Sequence, residues 1–218
     1  MADDDHPVCP QTLDLTDRAS SAILVDVPFT ALFVCTGNIC RSPMAELLFR
    51  AWADPRAQIE VSSAGTQALV GHGIDRGSAS ALGQLGIDPT AHRAQQFQAW
   101  MAADADLILT AERAHRDLVM TGCPSAWRRT FTIKEFARLA PYVEGDDPLS
   151  VIKSAATNRG LVGGVPLEED DVVDPYRNGI NHAKEIAADL TQSVNTALEM
   201  LGLLAHAGSR RRPVPYAH

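Results

Sequence analysis

The sequence predicts an α/β layer structure built on a parallel sheet. Three observations carry that prediction. Short apolar runs at residues 29–34, 59–62, 107–110 and 129–133 alternate with helical patterns. The first run passes through a Gly-containing turn straight into a helical pattern opened by Ser42-Pro43. A long amphipathic stretch from residue 181 to 203 then closes the segment. Strands alternating with helices build crossover units, and those produce parallel sheets covered by helices.

Taken in order, residues 29–34 (Phe-Thr-Ala-Leu-Phe-Val) form a compact apolar run suited to a buried strand. Met44, Leu47, Leu48 and Ala51 come next at helical spacing, with Ser42 as a candidate N-cap and Pro43 in the first turn. Residues 59–62 give a second strand, and residues 74–85 a helix stopped by Gly86. Asp104 and Asp106 lead into a third strand at 107–110, and a helix over 111–120 ends at Gly122 and Pro124. A fourth strand over 129–133 precedes a short helix over 134–139.

Three segments fall outside the alternation. Residues 1–28 are acidic, unpatterned and interrupted by Pro7, Pro10 and Pro28, and read as a flexible arm. Residues 143–171 hold Gly145, Gly160, Gly163 and Gly164 between acidic patches and read as a long surface loop. Residues 205–218 are rich in Gly, Pro and Arg and read as a loose tail, leaving one domain over 29–204.

Charge and composition narrow the function. A net charge of −8 in 218 residues argues against general affinity for nucleic acid or anionic lipid. No apolar run approaches the ~18–20 residues that span a bilayer, and the N-terminus carries no secretory pattern, so a cytoplasmic address is expected. Cys9, Cys35, Cys40 and Cys123 are spaced neither as a disulfide framework nor as a zinc site, and the scattered histidines lack ligand-like spacing. No metal or cofactor is expected.

The chemistry concentrates in Val34-Cys35-Thr36-Gly37-Asn38-Ile39-Cys40-Arg41-Ser42-Pro43. A loop leaving a parallel strand and entering a helix aims backbone N–H groups at one point, and the helix dipole adds to their field. Gly37 and Asn38 tolerate the left-handed backbone such a cradle needs. Arg41 can return a planar fork to two phosphate oxygens, and a cysteine at the base is expected to hold its sulfur as the thiolate.

In these residues the sequence resembles the low-molecular-weight protein tyrosine phosphatases. The likeness runs from about residue 30 to 203. It includes Ser62-Ser63-Ala64-Gly65-Thr66, Gly86-Ile87-Asp88 leading to His92-Arg93-Ala94, and Asp174-Pro175-Tyr176 before the last helix. It implies a single domain with a four-stranded parallel sheet and helices on both faces. It also implies hydrolysis of phosphotyrosine in a protein substrate through a phosphocysteine, with Cys35 attacking and Arg41 binding phosphate. Ser42 would steady the thiolate, and Asp174 would be the general acid. Thr36, Gly37, Asn38, Ile39, Cys40 and Tyr176 would complete the substrate site, which would take phosphate or a similar oxyanion, with Ser63 and His92 holding Asn38 and the loop in shape.

The residues alone do not single out the proton donor, because Asp-Pro occurs at Asp54, Asp88, Asp147 and Asp174. The resemblance selects Asp174. Cys40, five residues from Cys35, is placed to form a reversible disulfide with it, a pairing the resemblance also suggests. His115, His182 and Cys123 read as ordinary residues, and Trp52, Trp100 and Trp127 as packing residues at element edges.

The family often places a tryptophan beside the cleft where this chain has the stretch Gln67-Ala68-Leu69-Val70-Gly71-His72. Ala111-Glu112 stands where Met-Asp is common, Arg177 where a second tyrosine is sometimes found, and the segment before Asp174 is longer than usual. These departures touch the walls that choose a substrate. Competing functions are an arsenate reductase, disfavoured because Cys9 and Cys123 are not spaced as a relay; a phosphoarginine phosphatase, disfavoured because those relatives typically carry threonine at the position of Ile39; and a phosphopeptide-binding module without turnover, disfavoured by Cys35, Arg41, Ser42 and Asp174 occurring together.

Overall fold

In the computed structural model, which describes residues 27–162 and 166–205, the first strand takes the middle of the sheet. β1 (Phe29–Cys35) pairs with β2 (Ile59–Gly65) on one side and β3 (Leu107–Thr110) on the other, and β4 (Thr130–Thr132) pairs with β3. The order is β2-β1-β3-β4 and every pairing is parallel. The chain reverses direction across the sheet between β1 and β3. In such sheets ligands bind in the crevice beyond the carboxyl ends of the strands at that point.

The unbroken apolar sequence of β1 reflects its burial on both faces. Ala31 and Phe33 face one core cluster; Leu32 and Val34 face another. α1 (Arg41–Trp52), α5 (Ile133–Arg138) and α8 (Gly179–Met200) contribute to the first cluster, where Phe33 and Phe49 meet edge to face at 5.7 Å. α2 (Arg76–Gln84) packs on α8 and adds Ala81 and Leu82. α3 (Ala99–Asp104) and α4 (Arg113–Gly122) supply Ala102 and Val119 to the second cluster. Each large apolar side chain buried in these layers contributes about 1.5–3 kcal/mol relative to exposure.

Several expectations are corrected. The first helix begins at Arg41, so Ser42 lies within its first turn and Cys40 takes the cap position without a side-chain bond. That shift frees the Ser42 hydroxyl to turn toward Cys35. α3 was not anticipated from its sequence, because Ala-Trp-Met-Ala-Ala-Asp is too short to show a period. Trp100 and Trp127 lie at element edges, as expected, and are 52 % and 47 % exposed, with Arg128 stacked on Trp127.

The segment read as a long loop carries α6 (Pro148–Asn158) and α7 (Leu167–Asp170). Asp147 caps α6 by accepting from the N–H groups of Leu149 and Ser150, and Ser150 returns a bond to Asp147 N. Val151, Ile152 and Ala155 then enter the core. Just past the helix, Arg159 lies over the Phe131 ring at 4.1 Å and pairs with Glu135 at 2.9 Å, covering the edge at β4. Gly145, Gly160 and the acidic flanks hid a properly capped helix. The acidic arm (residues 1–26) and the tail (residues 206–218) lie outside the described residues. Among the described residues, no helix is long and apolar enough to cross a membrane.

Candidate active site

The loop between β1 and α1 forms the floor of a cleft at the carboxyl edge of the sheet. Its carbonyls point outward, and each has a partner. Cys35 O accepts from Thr66 N, Thr36 O from Gln67 N, Gly37 O from Leu69 N, Ile39 O from Asp75 N and Cys40 O from Met44 N, all at 2.8–3.0 Å. Asn38 O accepts from His92 Nε2 at 2.8 Å. In a trans peptide the C=O of one residue and the N–H of the next point opposite ways. Six consecutive outward carbonyls therefore turn the N–H groups of residues 36–41 inward, toward the Cys35 side chain. This is an anion cradle made of backbone donors.

One residue makes the turn possible. Asn38 has φ +53° and is fully buried. Gly37, read from sequence as a second left-handed position, is not in that region, and a Cβ there would only touch Ile39 Cγ1 at 3.4 Å. The glycine that geometry requires is Gly65 at the end of β2. A Cβ there would come within 2.5 Å of Thr36 O, so no side chain fits between β2 and the loop.

Asn38 also sets the direction of a proton chain. Its Oδ1 accepts from Gln95 N at 2.9 Å, which fixes the amide orientation. Nδ2 then donates to Ser42 Oγ at 2.9 Å and to Ser63 Oγ at 2.8 Å. The Ser63 hydroxyl donates to Glu46 Oε2 at 2.5 Å. Ser42 Oγ lies 3.0 Å from Cys35 Sγ and 3.4 Å from Ala64 O, so the sulfur is the nearer of its two remaining partners.

The second wall comes from β3 and the segment before α8. Arg41 Nη1 bonds Glu112 Oε1 and, at 3.0 Å, Val172 O. Its Nη2 bonds Asp174 Oδ2 at 3.1 Å. Arg41 Nε is buried with no hydrogen-bond partner among the described residues. Thr36 Oγ1 meets His115 Nε2 at 2.8 Å, and burial lowers the His115 pKa below its usual value, so the ring is neutral. Burial likewise pushes the Cys40 thiol up to about 12. Both loop cysteines are free, and Cys40 stays protonated at neutral pH.

Cys35, Thr36, Gly37, Ile39, Cys40, Arg41, Leu69, Asp174 and Tyr176 line one cleft of about 150 Å³. The predicted site residues thus meet, with Ser42, Asn38, Ser63 and His92 directly behind the floor. The other Asp-Pro carboxylates lie elsewhere in hydrogen-bonded roles: Asp54 holds Arg56, Asp88 accepts from Thr90 N, and Asp147 caps α6. A larger cavity of about 620 Å³, lined by Thr30, Glu60, Gln95, Trp100 and Asp104, shares only Gln95 with the network behind the floor. Among the described residues, no group of three or more His, Cys, Asp or Glu could hold a metal ion.

The sequence reading missed Glu112, His115, Glu46 and Gln95. Glu112 carried one usable signal, its place just beyond the carboxyl end of β3. The others gave none, because their contacts depend on side-chain packing between distant elements.

The family described as low molecular weight phosphotyrosine protein phosphatase matches residues 30–157. The chain belongs to that family. Among its relatives, the probable low molecular weight protein-tyrosine-phosphatase AmsI of Erwinia amylovora is 35 % identical over 131 residues, 58 % of this chain and 89 % of that one. The protein-arginine-phosphatase of Geobacillus stearothermophilus is 37 % identical over 110 residues, 50 % of this chain and 72 % of that one. The crystal structure of the tyrosine phosphatase Wzb from Escherichia coli K30 in complex with sulphate superposes with a TM-score of 0.61 at 25 % identity, covering 81 % of this chain and all of that one. As a member of this family the chain is a phosphoric monoester hydrolase of the protein-tyrosine-phosphatase type.

Proposed function

We propose that the cleft hydrolyses phosphotyrosine in protein substrates through a phosphocysteine formed on Cys35. The observation that carries this reading is the convergence of Cys35, the inward N–H groups, Arg41 and Asp174 on one small cleft. The phosphate oxygens take the backbone donors and the unpartnered Arg41 Nε. Their charge displaces the Asp174 carboxylate from Arg41 Nη2, because a dianion competes with it for the same donor. The Cys35 thiolate attacks phosphorus, the bond from phosphorus to the tyrosine oxygen breaks, and Asp174, which takes up a proton from solvent once released from Arg41, gives that proton to the oxygen. Water then attacks the phosphocysteine, Asp174 takes a proton from it, and inorganic phosphate leaves as the thiolate re-forms, steadied by the Ser42 hydroxyl.

Ile39, Leu69 and Tyr176 form an apolar rim suited to an aromatic leaving group. The arginine-phosphatase relative supports a second reading, phosphoarginine hydrolysis on the same scaffold. We place the chain in the cytoplasm, with phosphoprotein as its partner. Phosphate release from phosphotyrosine, phosphoarginine and phosphoserine peptides, with arsenate-dependent thiol oxidation as a control, tests the assignment. The reading requires phosphotyrosine to give the highest kcat/KM; phosphoarginine in first place, or arsenate-driven thiol oxidation, overturns it.

A further inference from the structure

We infer that Asp170 is a positioning residue for the Asp174 segment, acting through Arg113 and Arg138. The inference rests on the reading of Asp174 as the general acid. Asp170 is 2 % exposed, at the end of α7 and of the segment that distinguishes this chain. Its Oδ2 accepts from Arg113 Nη2 at 2.5 Å and Nε at 3.1 Å. Its Oδ1 accepts from Arg138 Nη2 at 3.1 Å and Nε at 3.3 Å. Arg113 opens α4 and Arg138 closes α5, helices that pack on opposite faces of the sheet. One carboxylate thus ties both layers together at the edge where the cleft opens.

From this anchor the chain is fastened step by step toward the cleft. Asp171 Oδ1 accepts from Arg113 N at 2.8 Å, a capping bond that the Glu112 side chain, turned to Arg41, does not make. Val172 is buried; its N–H donates to Ala111 O at 2.8 Å and its carbonyl accepts from Arg41 at 3.0 Å. Two residues later Asp174 reaches Arg41. Four residues extend at most about 14 Å, so slack at Asp170 passes to Asp174 with little chain to absorb it. Neutralising Asp170 leaves two arginines without their shared buried counter-charge. A displacement of about 1 Å at a proton donor is enough to weaken transfer strongly.

Proton donation matters most when the leaving group is a poor one. The test compares kcat/KM on phenyl phosphate and 4-nitrophenyl phosphate for the full chain, Asp174→Asn, Asp170→Asn and the double variant, at a temperature where circular dichroism shows each folded. The expected result is a loss of about tenfold or more on phenyl phosphate and less than about threefold on 4-nitrophenyl phosphate for Asp170→Asn. The double variant is then no worse than Asp174→Asn alone, because both act through one proton. Arg138→Gln, which leaves Arg113 on Asp170, shows the same selectivity in weaker form and carries the test if Asp170→Asn does not fold. Equal losses on the two substrates, or none, while Asp174→Asn discriminates between them, overturn the role of Asp170 alone. No discrimination by Asp174→Asn overturns the acid assignment and the inference with it.

Discussion

Asn38 joins two demands that are usually met by different residues: a left-handed backbone that turns the loop, and an amide that directs hydrogen bonds toward sulfur. Cys40, two residues on, shows how strongly position divides identical side chains. Cys35 sits under the inward N–H groups 3.0 Å from the Ser42 hydroxyl, whereas burial holds Cys40 as a thiol. In the proposed reading Cys35 is the nucleophile, and Cys40 is expected to act as its resolving partner. The expected sequence is oxidation of the Cys35 sulfur by peroxide to a sulfenic acid, then condensation with the Cys40 thiol to give a disulfide and water. After peroxide treatment, thiol reductant is expected to restore most activity in the wild type and only a small part in Cys40→Ser. Equal recovery contradicts the pairing. At this scale the contiguous loop was legible, because Cys35, Asn38, Arg41 and Ser42 act within eight residues of chain. Glu112 and His115 were not, since their partners Arg41 and Thr36 lie over seventy residues away.

Among the elements, β1 and β3 were legible because a parallel strand buried on both faces is largely apolar, whereas the polar residues of β2 hid its last three positions. β1 and β3 differ from their expected spans by one residue at most. Residues 143–171 read as a loop because their glycines mask the helix cap. Asp147-Pro148, with Ser150 completing the capping box, is a helix start, and the core contacts of Val151 and Ile152 stabilise the turns beyond it. Asp147→Ala is expected to lower folding stability by about 1 kcal/mol, measured by urea denaturation. The cleft lies far from this cap in sequence and shares no residue with it, so KM for an aryl phosphate should stay unchanged. A neutral effect on stability would show that α6 is held by its core face alone.

For the whole molecule, the site couples function to stability through buried polar groups beneath the loop. His115 is the titratable case. Burial lowers its pKa in the native state, Arg41 adds to the effect, and Glu112 opposes it. The unfolded imidazole titrates near 6.5. Below that pH, the unfolded chain binds a proton that the native state refuses, so stability falls as pH drops. His115→Gln keeps a donor for Thr36 and removes this proton. Between about pH 7 and about pH 5, the variant should lose less stability in urea titrations than the wild type; parallel losses contradict the assignment. The fold and its catalytic floor were thus readable from sequence wherever function is local, and unreadable where it depends on how layers meet. The central claim, that Cys35 accepts the phosphoryl group, is tested most directly by acid-quenching the enzyme during turnover of phenyl phosphate and mapping the protein by mass spectrometry. A phosphoryl adduct on the peptide bearing Cys35, absent from Cys35→Ser, is the predicted result. Undiminished phosphate release by Cys35→Ser, with no adduct on that peptide in the wild type, would contradict it.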